Sequence, residues 1–242
     1  MRLVIATGGT GGHVYPALAV AAEAERRGWE VLFLLGKVKE GVRFGGFKAK
    51  RVPAGPIKGV GALTRLASSL KIAAGALLSA AELRGSALLA FGSYASVPAL
   101  LAARALRVPY WLMEQNVVPG ATVRLFARGA RAVFTAFPET QLPEGSRAVW
   151  VGNPLRPELC PLPKEKALAH WGFDSRPVVL VLGGSLGARA LSAACYELAR
   201  SLKGVQFLII SGRRDYGLFP EKEGENFRVI DFVEDMSLAY SA

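Results

Sequence analysis

The sequence predicts an α/β protein made of two Rossmann-like domains, each built on a parallel sheet. Short apolar runs rich in β-branched residues alternate with helical segments through the first part of the chain, and this alternation is typical of a parallel sheet covered by helices. A proline-dense stretch at 153–163 interrupts the alternation, and a second series begins after it. We therefore expect one domain over residues 1–156 and another over residues 157–242, joined by a linker.

The composition agrees with a folded protein that has a substantial core. Of the 242 residues, 51% are hydrophobic and 20% are charged, which argues against intrinsic disorder. The two cysteines, Cys160 and Cys195, form no C-x-x-C pair, and this usage suggests a reducing compartment. The apolar run before the first glycine is too short for a secretory signal peptide.

The predicted elements of the first domain follow the β/α alternation in order. The predicted strands cover residues 3–7, 31–35, 49–52, 87–91, 110–113, 132–135 and 149–152. The predicted helices, assigned from the spacing of their apolar residues, cover residues 16–27, 63–83, 97–106 and about 122–127. Ligands of such sheets bind beyond the carboxyl ends of the strands, so we expect the site in the loops that follow the strands.

A glycine-rich loop joins the first strand to the first helix, and residues 7–13 read TGGTGGH. The four glycines let backbone N–H groups approach a ligand, and the helix N-terminus behind them favours a phosphate or a diphosphate. The loop is not a dinucleotide fingerprint, because Val14 stands where its last glycine belongs and Gly36 and Lys37, rather than an acid, end the second strand. The alternative is a tight turn that only packs the helix on the sheet.

The second series repeats the plan of the first. A strand at 177–182, a glycine loop at 183–188 and a helix at 189–202 are followed by strands at 205–211 and 227–232. A last helix begins near Asp235. A sheet of only three parallel strands would have an exposed edge, so we expect the chain to be a C-terminal truncation.

The second glycine loop places Ser185 in a G-x-S-x-G pattern, which is typical of a nucleophile elbow. A hydrolase of that kind needs a histidine after the serine, whereas both histidines of the chain, His13 and His170, precede it. We therefore interpret Ser185 as a hydroxyl donor to phosphate at a helix N-terminus.

His13 lies at the mouth of the first glycine loop, directly before the predicted helix. A helix N-terminus disfavours the imidazolium form, so the ring should be neutral and able to act as a general base for an acceptor hydroxyl. A histidine that only caps the loop by hydrogen bonding is the alternative. With two histidines, no cysteine cluster and no Asp-x-Asp pair, we expect no metal.

The chain is strongly basic, with a net charge of +11, and its basic residues are concentrated between residues 31 and 81. In that region only Glu40 opposes the basic side chains of Lys37, Lys39, Arg43, Lys48, Lys50, Arg51, Lys58, Arg65 and Lys71. Such a field favours an anionic partner, either nucleic acid or an anionic membrane surface. An ordinary solvated surface is the alternative.

The predicted helix at 63–83 has leucines at helical spacing, with Arg65, Lys71 and Arg84 around them. A helix of this kind fits a membrane surface, and the core-facing helix of an α/β domain has the same pattern. The sequence leaves both interpretations open.

Six short motifs fall in one chain order: GGTGGHVYPA at 8–17, GSYASVP at 92–98, EQN at 114–116, GNPLR at 152–156, GGSLGA at 183–188 and FVEDM at 232–236. Together they resemble the MurG family, bacterial transferases that add N-acetylglucosamine to undecaprenyl-pyrophosphoryl-muramyl-pentapeptide. The resemblance covers essentially the whole chain. Three positions depart from the family pattern: Ser93 replaces a glycine, and Met113 and Leu186 stand where histidine and glutamine are frequent.

The resemblance implies a GT-B-like fold, in which two Rossmann-like domains face a cleft, and a reaction without metal or other cofactor. The reaction would be an inverting transfer of N-acetylglucosamine from UDP-N-acetylglucosamine to the 4-hydroxyl of the muramyl group of lipid I, giving lipid II. The first domain would meet the acceptor and the cytoplasmic face of the bacterial membrane, where the protein would be peripheral, and the second domain would bind the donor.

The resemblance also implies site residues. The implied donor contacts are Thr10, Gly11, Gly12, Asn116, Arg156, Ser185 and the main chain near Val233. The implied residues of the acceptor-side loops are Gly92, Ser93, Tyr94 and Glu114. On this interpretation we expect no nucleic-acid partner. A basic, non-catalytic nucleotide- or nucleic-acid-binding module is the alternative, and it predicts retention on DNA with a steep salt dependence.

Overall fold

The structure is a computed structural model that describes residues 1–9, 11–38, 46–56, 61–156, 159–183 and 187–242. The chain divides into two compact units, Met1–Arg156 and Pro157–Ala242. The division lies within the proline-dense stretch in which the sequence places the linker. The acceptor and donor roles given to the two domains stay predictions.

The first unit is a parallel sheet of seven strands with helices on both faces. Its strands are β1 (Arg2–Gly9), β2 (Glu30–Val38), β3 (Lys48–Arg51), β4 (Ala87–Ala90), β5 (Tyr110–Glu114), β6 (Val133–Thr135) and β7 (Ala148–Trp150). Its helices are α1 (Gly11–Arg26), α2 (Ala62–Leu83), α3 (Val97–Ala105) and α4 (Ala121–Phe126). The strand order is β3-β2-β1-β4-β5-β6-β7, so each of the seven predicted strands is present.

The central strand, β1, is buried on both faces, as the strands of a covered parallel sheet are. Leu3 and Ile5 pack on one face, against the alanines of α1. Val4 and Ala6 pack on the other face, in a cluster that includes Leu100 of α3. Because side chains alternate along a strand, the one apolar run from residue 3 to residue 6 supplies both halves of the core.

The first helix begins earlier than the sequence predicts. Helix α1 starts at Gly11, five residues before the predicted start, and Pro16 lies inside it. Because glycine is a poor helix former, the pattern of four glycines indicated a loop throughout. In the structure Gly8 and Gly9 end β1, and Gly11 and Gly12 form the first turn of α1. Pro16 is the sixth residue of α1 and has no N–H to donate to the carbonyl of Gly12, so one hydrogen bond of the helix is missing there.

The second unit is a smaller sheet with the order β10-β11-β9-β8. Its strands are β8 (Val178–Leu182), β9 (Gln206–Ile210), β10 (Glu223–Gly224) and β11 (Phe227–Ile230). Its helices are α5 (Lys164–Trp171), α6 (Arg189–Ser201) and α7 (Met236–Tyr240). Strands β8, β9 and β11 are parallel, and β10 pairs antiparallel with β11.

Two elements of the second unit were absent from the prediction. The prediction of three strands is wrong, because the short strand β10 adds a fourth at the edge of the sheet. Helix α5 lies between the end of the predicted linker at residue 163 and the strand predicted at 177, where the sequence predicts no element. Its Ala167 and Leu168 are buried, and Gly172 ends the helix with a φ of 66°. That left-handed conformation is typical of the residue that follows a helix.

Candidate active site

The candidate site lies at the carboxyl edge of the first sheet, where the loops after β1, β4 and β5 lie side by side. The loop after β4 contains a 3₁₀ turn at Tyr94–Ser96, which contacts β1 and β2. A Cβ atom on Gly8 would lie 2.6 Å from the Cβ of Ala95, and one on Gly36 would also overlap Ala95. Gly8 and Gly36 therefore allow the loop after β4 to pack on the ends of β1 and β2.

The glycines of the first loop have different structural roles. Gly8 meets Ala95 of the loop after β4, whereas Gly9 has a φ of 89° and makes the turn into α1. The hydroxyl of Thr7 donates to the carbonyl oxygen of His13 at 3.2 Å and ties the start of α1 to the end of β1. Thr10, an implied donor contact, lies outside the described residues.

Gly11, Gly12 and His13 form the first turn of α1. Backbone N–H groups in the first turn of a helix have no partner within the helix, so this turn presents donors and partial positive charge at the carboxyl edge of the sheet. A phosphate or a carboxylate is the chemical group that such a turn binds.

His13 is half-buried, and burial lowers the pKa of its ring. The Glu114 carboxylate and the Gln115 amide raise the pKa, but by less. The direction is the one that the sequence predicts, although the largest cause is burial rather than the helix N-terminus. The ring is therefore neutral near pH 7, and a neutral imidazole can accept a proton.

The buried polar atoms around His13 are not fully paired. His13 Nδ1 and both amide atoms of Gln115 are buried without a hydrogen-bond partner among the described residues. The amide is close enough to affect the pKa of the ring, but the two groups do not reach hydrogen-bond geometry. Because buried polar atoms are normally paired, these groups are available to a further polar group.

Glu114, at the end of β5, holds the loop that carries Asn116. Its carboxylate is buried, at 2% exposure, and accepts from the backbone N–H and the side-chain Nδ2 of Asn116 at 2.9 Å each. The backbone N–H of Gly120 donates to the other carboxylate oxygen at 2.8 Å. Three donors on one carboxylate fix the turn from residue 115 to residue 120, and the exposed Asn116 keeps its side-chain oxygen for a ligand.

Ser93 occupies a backbone conformation that favours glycine. Its φ is 61° and its ψ is 149°, a region in which side chains other than hydrogen are strained. The loop compensates with two hydrogen bonds, because Ser93 Oγ accepts from the N–H of Ala95 and Ser93 O accepts from the hydroxyl of Thr122. The preceding residue, Gly92, has a φ of 53°, and the following residue, Tyr94, is exposed.

Arg156 ends the first unit and lies beside the start of α1. Its guanidinium carbon is 4.7 Å from the centre of the Tyr15 ring. Among the described residues no carboxylate pairs with Arg156. An arginine without a counter-ion near the first turn of α1 adds a full positive charge to the donors of that turn.

The glycine loop of the second unit is only partly described. Ser185 lies outside the described residues. The flanking Gly187 has a φ of 76°, and a Cβ there would overlap the carbonyl oxygen of Ser211. Val233, the other implied contact in this unit, packs against the buried cluster that includes Leu208.

Asp215 anchors the start of α6 close to Gly187. It is fully buried, and its carboxylate pairs with Arg214 at 2.7 Å and with Arg189, the first residue of α6, at 2.8 Å. The two guanidinium groups, Arg214 above all, lower the pKa of Asp215 to about 2. Sequence reasoning did not single out Asp215, because nothing local marks it.

The described part of the chain contains no group of three or more His, Cys, Asp and Glu side chains that could hold a metal ion. Tyr15 and Gln115 are not among the predicted site residues, although both lie within the motifs quoted from the sequence. Their contacts, with Arg156 and His13, arise only when distant segments meet.

Helix α2 has an exposed apolar face. The side chains that it buries are mostly small: Ser68, Ile72, Gly75, Ser79 and Leu83. The outward leucines Leu63, Leu66, Leu70, Leu77 and Leu78 are 56–86% exposed. Among the described helices, α2 alone is long and apolar enough to cross a membrane, with 28% of its most apolar window buried. The outward leucines are therefore not part of the core of the first unit.

The first unit matches the model of a known protein family. A model of the glycosyltransferase family 28 N-terminal domain matches residues 3–135. That range contains the first glycine loop, the loop after β4, and Glu114 with Asn116.

Curated relatives match over the whole chain. The UDP-N-acetylglucosamine–N-acetylmuramyl-(pentapeptide) pyrophosphoryl-undecaprenol N-acetylglucosamine transferase of Symbiobacterium thermophilum is 33% identical, and the alignment covers 100% of this chain and 69% of the relative. The transferase of the same name from Haemophilus ducreyi is 34% identical, with 99% of this chain and 70% of the relative covered.

Solved structures give the same picture. MurG of Acinetobacter baumannii matches with a TM-score of 0.70 and 27% identity, over 99% of this chain and 71% of that chain. The calicheamicin glycosyltransferase CalG4 matches with a TM-score of 0.63 and 15% identity, over 100% of this chain and 72% of that chain. The second likeness shows the fold alone, and both agree with the predicted fold class.

Proposed function

The chain belongs to the MurG family of N-acetylglucosamine transferases, within glycosyltransferase family 28, and we infer that it transfers N-acetylglucosamine from UDP-N-acetylglucosamine to lipid I. The product is lipid II, the disaccharide-bearing precursor of peptidoglycan. The observation that carries this function is the match of relatives with this activity in their name across 99–100% of the chain. The alternative of a non-catalytic nucleic-acid module finds no support in the comparisons.

The geometry of the first unit suits a transfer that moves negative charge onto a diphosphate. The first turn of α1 and Arg156 supply hydrogen-bond donors and positive charge, which stabilise a diphosphate as it leaves. Glu114 holds Asn116 at the end of β5, where its amide is the proposed uncharged contact. On this proposal, groups that belong to the protein chain itself stabilise the negative charge of the leaving diphosphate.

His13 is the proposed general base. The 4-hydroxyl oxygen of the muramyl group attacks the anomeric carbon, and its proton passes to the neutral imidazole. The bond between the anomeric carbon and the diphosphate oxygen breaks, and UDP leaves with the bonding electron pair. Attack from the side opposite UDP inverts the configuration at the anomeric carbon. The lowered pKa of His13 keeps the base unprotonated at neutral pH.

We also propose that the protein is peripheral on the cytoplasmic face of the bacterial membrane and binds it through α2. Five outward leucines supply apolar area, and Arg65 and Lys71, both exposed on the same helix, supply positive charge. Apolar burial and attraction to anionic lipids together are what an interfacial helix needs. Lys39, Arg43 and Lys58, which belong to the same basic stretch of sequence, lie outside the described residues.

A transfer assay tests the reaction. The chain is incubated with UDP-N-acetylglucosamine carrying a labelled sugar and with a lipid I analogue, and the labelled disaccharide product is measured with and without EDTA. We expect product formation in both cases. Absence of product, together with retention on DNA that falls steeply with salt, would favour the non-catalytic alternative. Loss of product only with EDTA would contradict the expected absence of a metal.

Vesicle flotation tests the membrane surface. The variant with both Arg65→Glu and Lys71→Glu should bind phosphatidylglycerol vesicles more weakly than the wild type, and added salt should weaken the wild type as well. The control variant reverses Lys164 and Lys166, which are exposed on α5 of the second unit, and should bind like the wild type. Equal loss of vesicle binding in both variants would mean that binding depends on the net charge of the protein rather than on the surface of α2.

A further inference from the structure

Tyr15 lies between two parts of the candidate site. One edge of its ring packs against the first turn of α1, where a Cβ atom on Gly11 would lie 2.8 Å from Tyr15 Cε2. The face of the ring meets the guanidinium of Arg156, 4.7 Å from the ring centre to Cζ. Tyr15 and Arg156 are 141 positions apart in the chain, so the contact joins the start of the first unit to its end.

We propose that Tyr15 is a positioning residue that holds the Arg156 guanidinium beside the first turn of α1, where both act on the diphosphate of UDP-N-acetylglucosamine. This inference rests on the proposed function, since it assumes that Arg156 meets that diphosphate. Its new content is the assignment of a role to Tyr15, which contacts the ligand only through Arg156.

An aromatic platform suits this task better than a carboxylate. A free arginine side chain samples many rotamers, and a stacked one loses less entropy when its ligand binds. A carboxylate would also fix the side chain, but it would occupy the N–H groups and cancel the charge that the diphosphate needs. Stacking on a ring face leaves the N–H groups, which lie in the guanidinium plane, directed outward.

The packing at Gly11 makes the platform rigid. Because Gly11 has no Cβ, the Tyr15 ring lies directly on the backbone of α1. Gly11 is one turn away from Tyr15 in the same helix, so this contact fixes the position of the ring. The ring hydroxyl makes no hydrogen bond among the described residues, so the face of the ring rather than its polar tip carries the proposed role.

The test uses binding and steady-state kinetics on five variants of the chain. Tyr15→Leu should raise the Kd and KM for UDP-N-acetylglucosamine about 3- to 30-fold, the range expected for loss of a cation–π contact, while kcat changes less than about threefold. Tyr15→Phe keeps the ring face and should stay within about twofold of the wild type. Tyr240→Leu, which removes an exposed tyrosine of the second unit, is the control and should match the wild type.

The fourth variant carries Arg156→Ala alone, and the fifth combines Tyr15→Leu with Arg156→Ala. If Tyr15 acts through Arg156, the double variant should bind no more weakly than Arg156→Ala alone, because coupled residues are not additive. Additive losses, or a Tyr15→Phe variant as weak as Tyr15→Leu, would overturn the proposal. Wild-type affinity in Tyr15→Leu would overturn it too, and would leave the proposed function intact if transfer persists. Conversely, if the wild type binds UDP-N-acetylglucosamine normally but transfers no sugar, the proposed transferase function is wrong. The role of Tyr15 would then be tested by the Kd values of the variants alone.

Discussion

Replacing Glu114 by Gln tests whether its buried carboxylate organises the candidate site. The carboxylate accepts three hydrogen bonds, two from Asn116 at 2.9 Å and one from the N–H of Gly120 at 2.8 Å. The amide oxygen of Gln can keep the two bonds from Asn116, but its NH₂ group would face the N–H of Gly120. One bond to a charged group is therefore lost, which should lower the free energy of unfolding by about 1.5–3 kcal/mol.

The same substitution should change activity and its pH dependence. A shift of the loop that carries Asn116 can lower kcat by up to about 10²-fold, because small misplacements of positioned groups are costly. The Glu114 charge raises the pKa of His13, so its removal lowers that pKa further. Since the base works unprotonated, the acidic limb of the kcat/KM profile should move to lower pH in the variant.

The measurements are urea unfolding and the pH profile of kcat/KM, with Glu139→Gln as the matched control. Glu139 is an exposed carboxylate of the same unit, and its neutralisation should leave both stability and the acidic limb unchanged. If Glu114→Gln is as stable as that control, its three hydrogen bonds do not hold the loop. If the acidic limb stays in place or moves to higher pH, His13 is not the base that this limb reports.

Three further predictions follow from single positions. His13→Ala should lower kcat by about 10²–10⁴-fold and leave the calorimetric Kd for UDP-N-acetylglucosamine within a few fold; an unchanged kcat would exclude it as the base. Gly75→Ala would place a Cβ against the carbonyl of Pro53 and should destabilise the chain by about 1–3 kcal/mol in urea unfolding, whereas Gly204→Ala, with nothing within 4 Å, should stay within about 0.5 kcal/mol. Asp215→Asn should lower the urea midpoint near neutral pH. Because the folded pKa of Asp215, about 2, lies below its ordinary value of 3.8, this stabilisation is present above pH 3.8 and disappears as pH falls toward 2, so the midpoints of variant and wild type should converge there.

The strands of both units could be predicted because a buried parallel strand is a continuous apolar run. Residues 3–6 and 207–210 are such runs, and the structure places β1 and β9 there. Strand β8 also follows an apolar run, but it lies at the edge of its sheet and buries only Val181. Elements with little burial left no such signal. Helix α5 buries only Ala167 and Leu168, and β10 has only two residues. Neither element therefore has an apolar pattern long enough to distinguish it from the turn and proline residues that flank it.

The location of the site could be predicted better than its interactions. The glycine loop and the rule for parallel sheets indicate the carboxyl edge of β1, and the structure brings His13 and Glu114 close enough to interact there. The partners of Glu114 are two and six residues away, within reach of local reasoning about turns. The contact of Tyr15 with Arg156 spans 141 positions, and no periodicity or local motif encodes it.

Helix α2 shows why periodicity gives the faces of a helix but not which face is buried. The leucines and the small residues both recur at helical spacing, and the usual expectation is that leucines face the core. Here the helix lies so close to the carbonyl of Pro53 that only a glycine fits at position 75. One turn later, the hydroxyl of Ser79 donates to the carbonyl of Gly75 at 2.7 Å. Close approach of the backbone selects the small residues for the inner face, and the leucines are left outside. A surface of exposed leucines beside basic residues then follows from the packing distance, and it is this surface that we propose as the membrane contact.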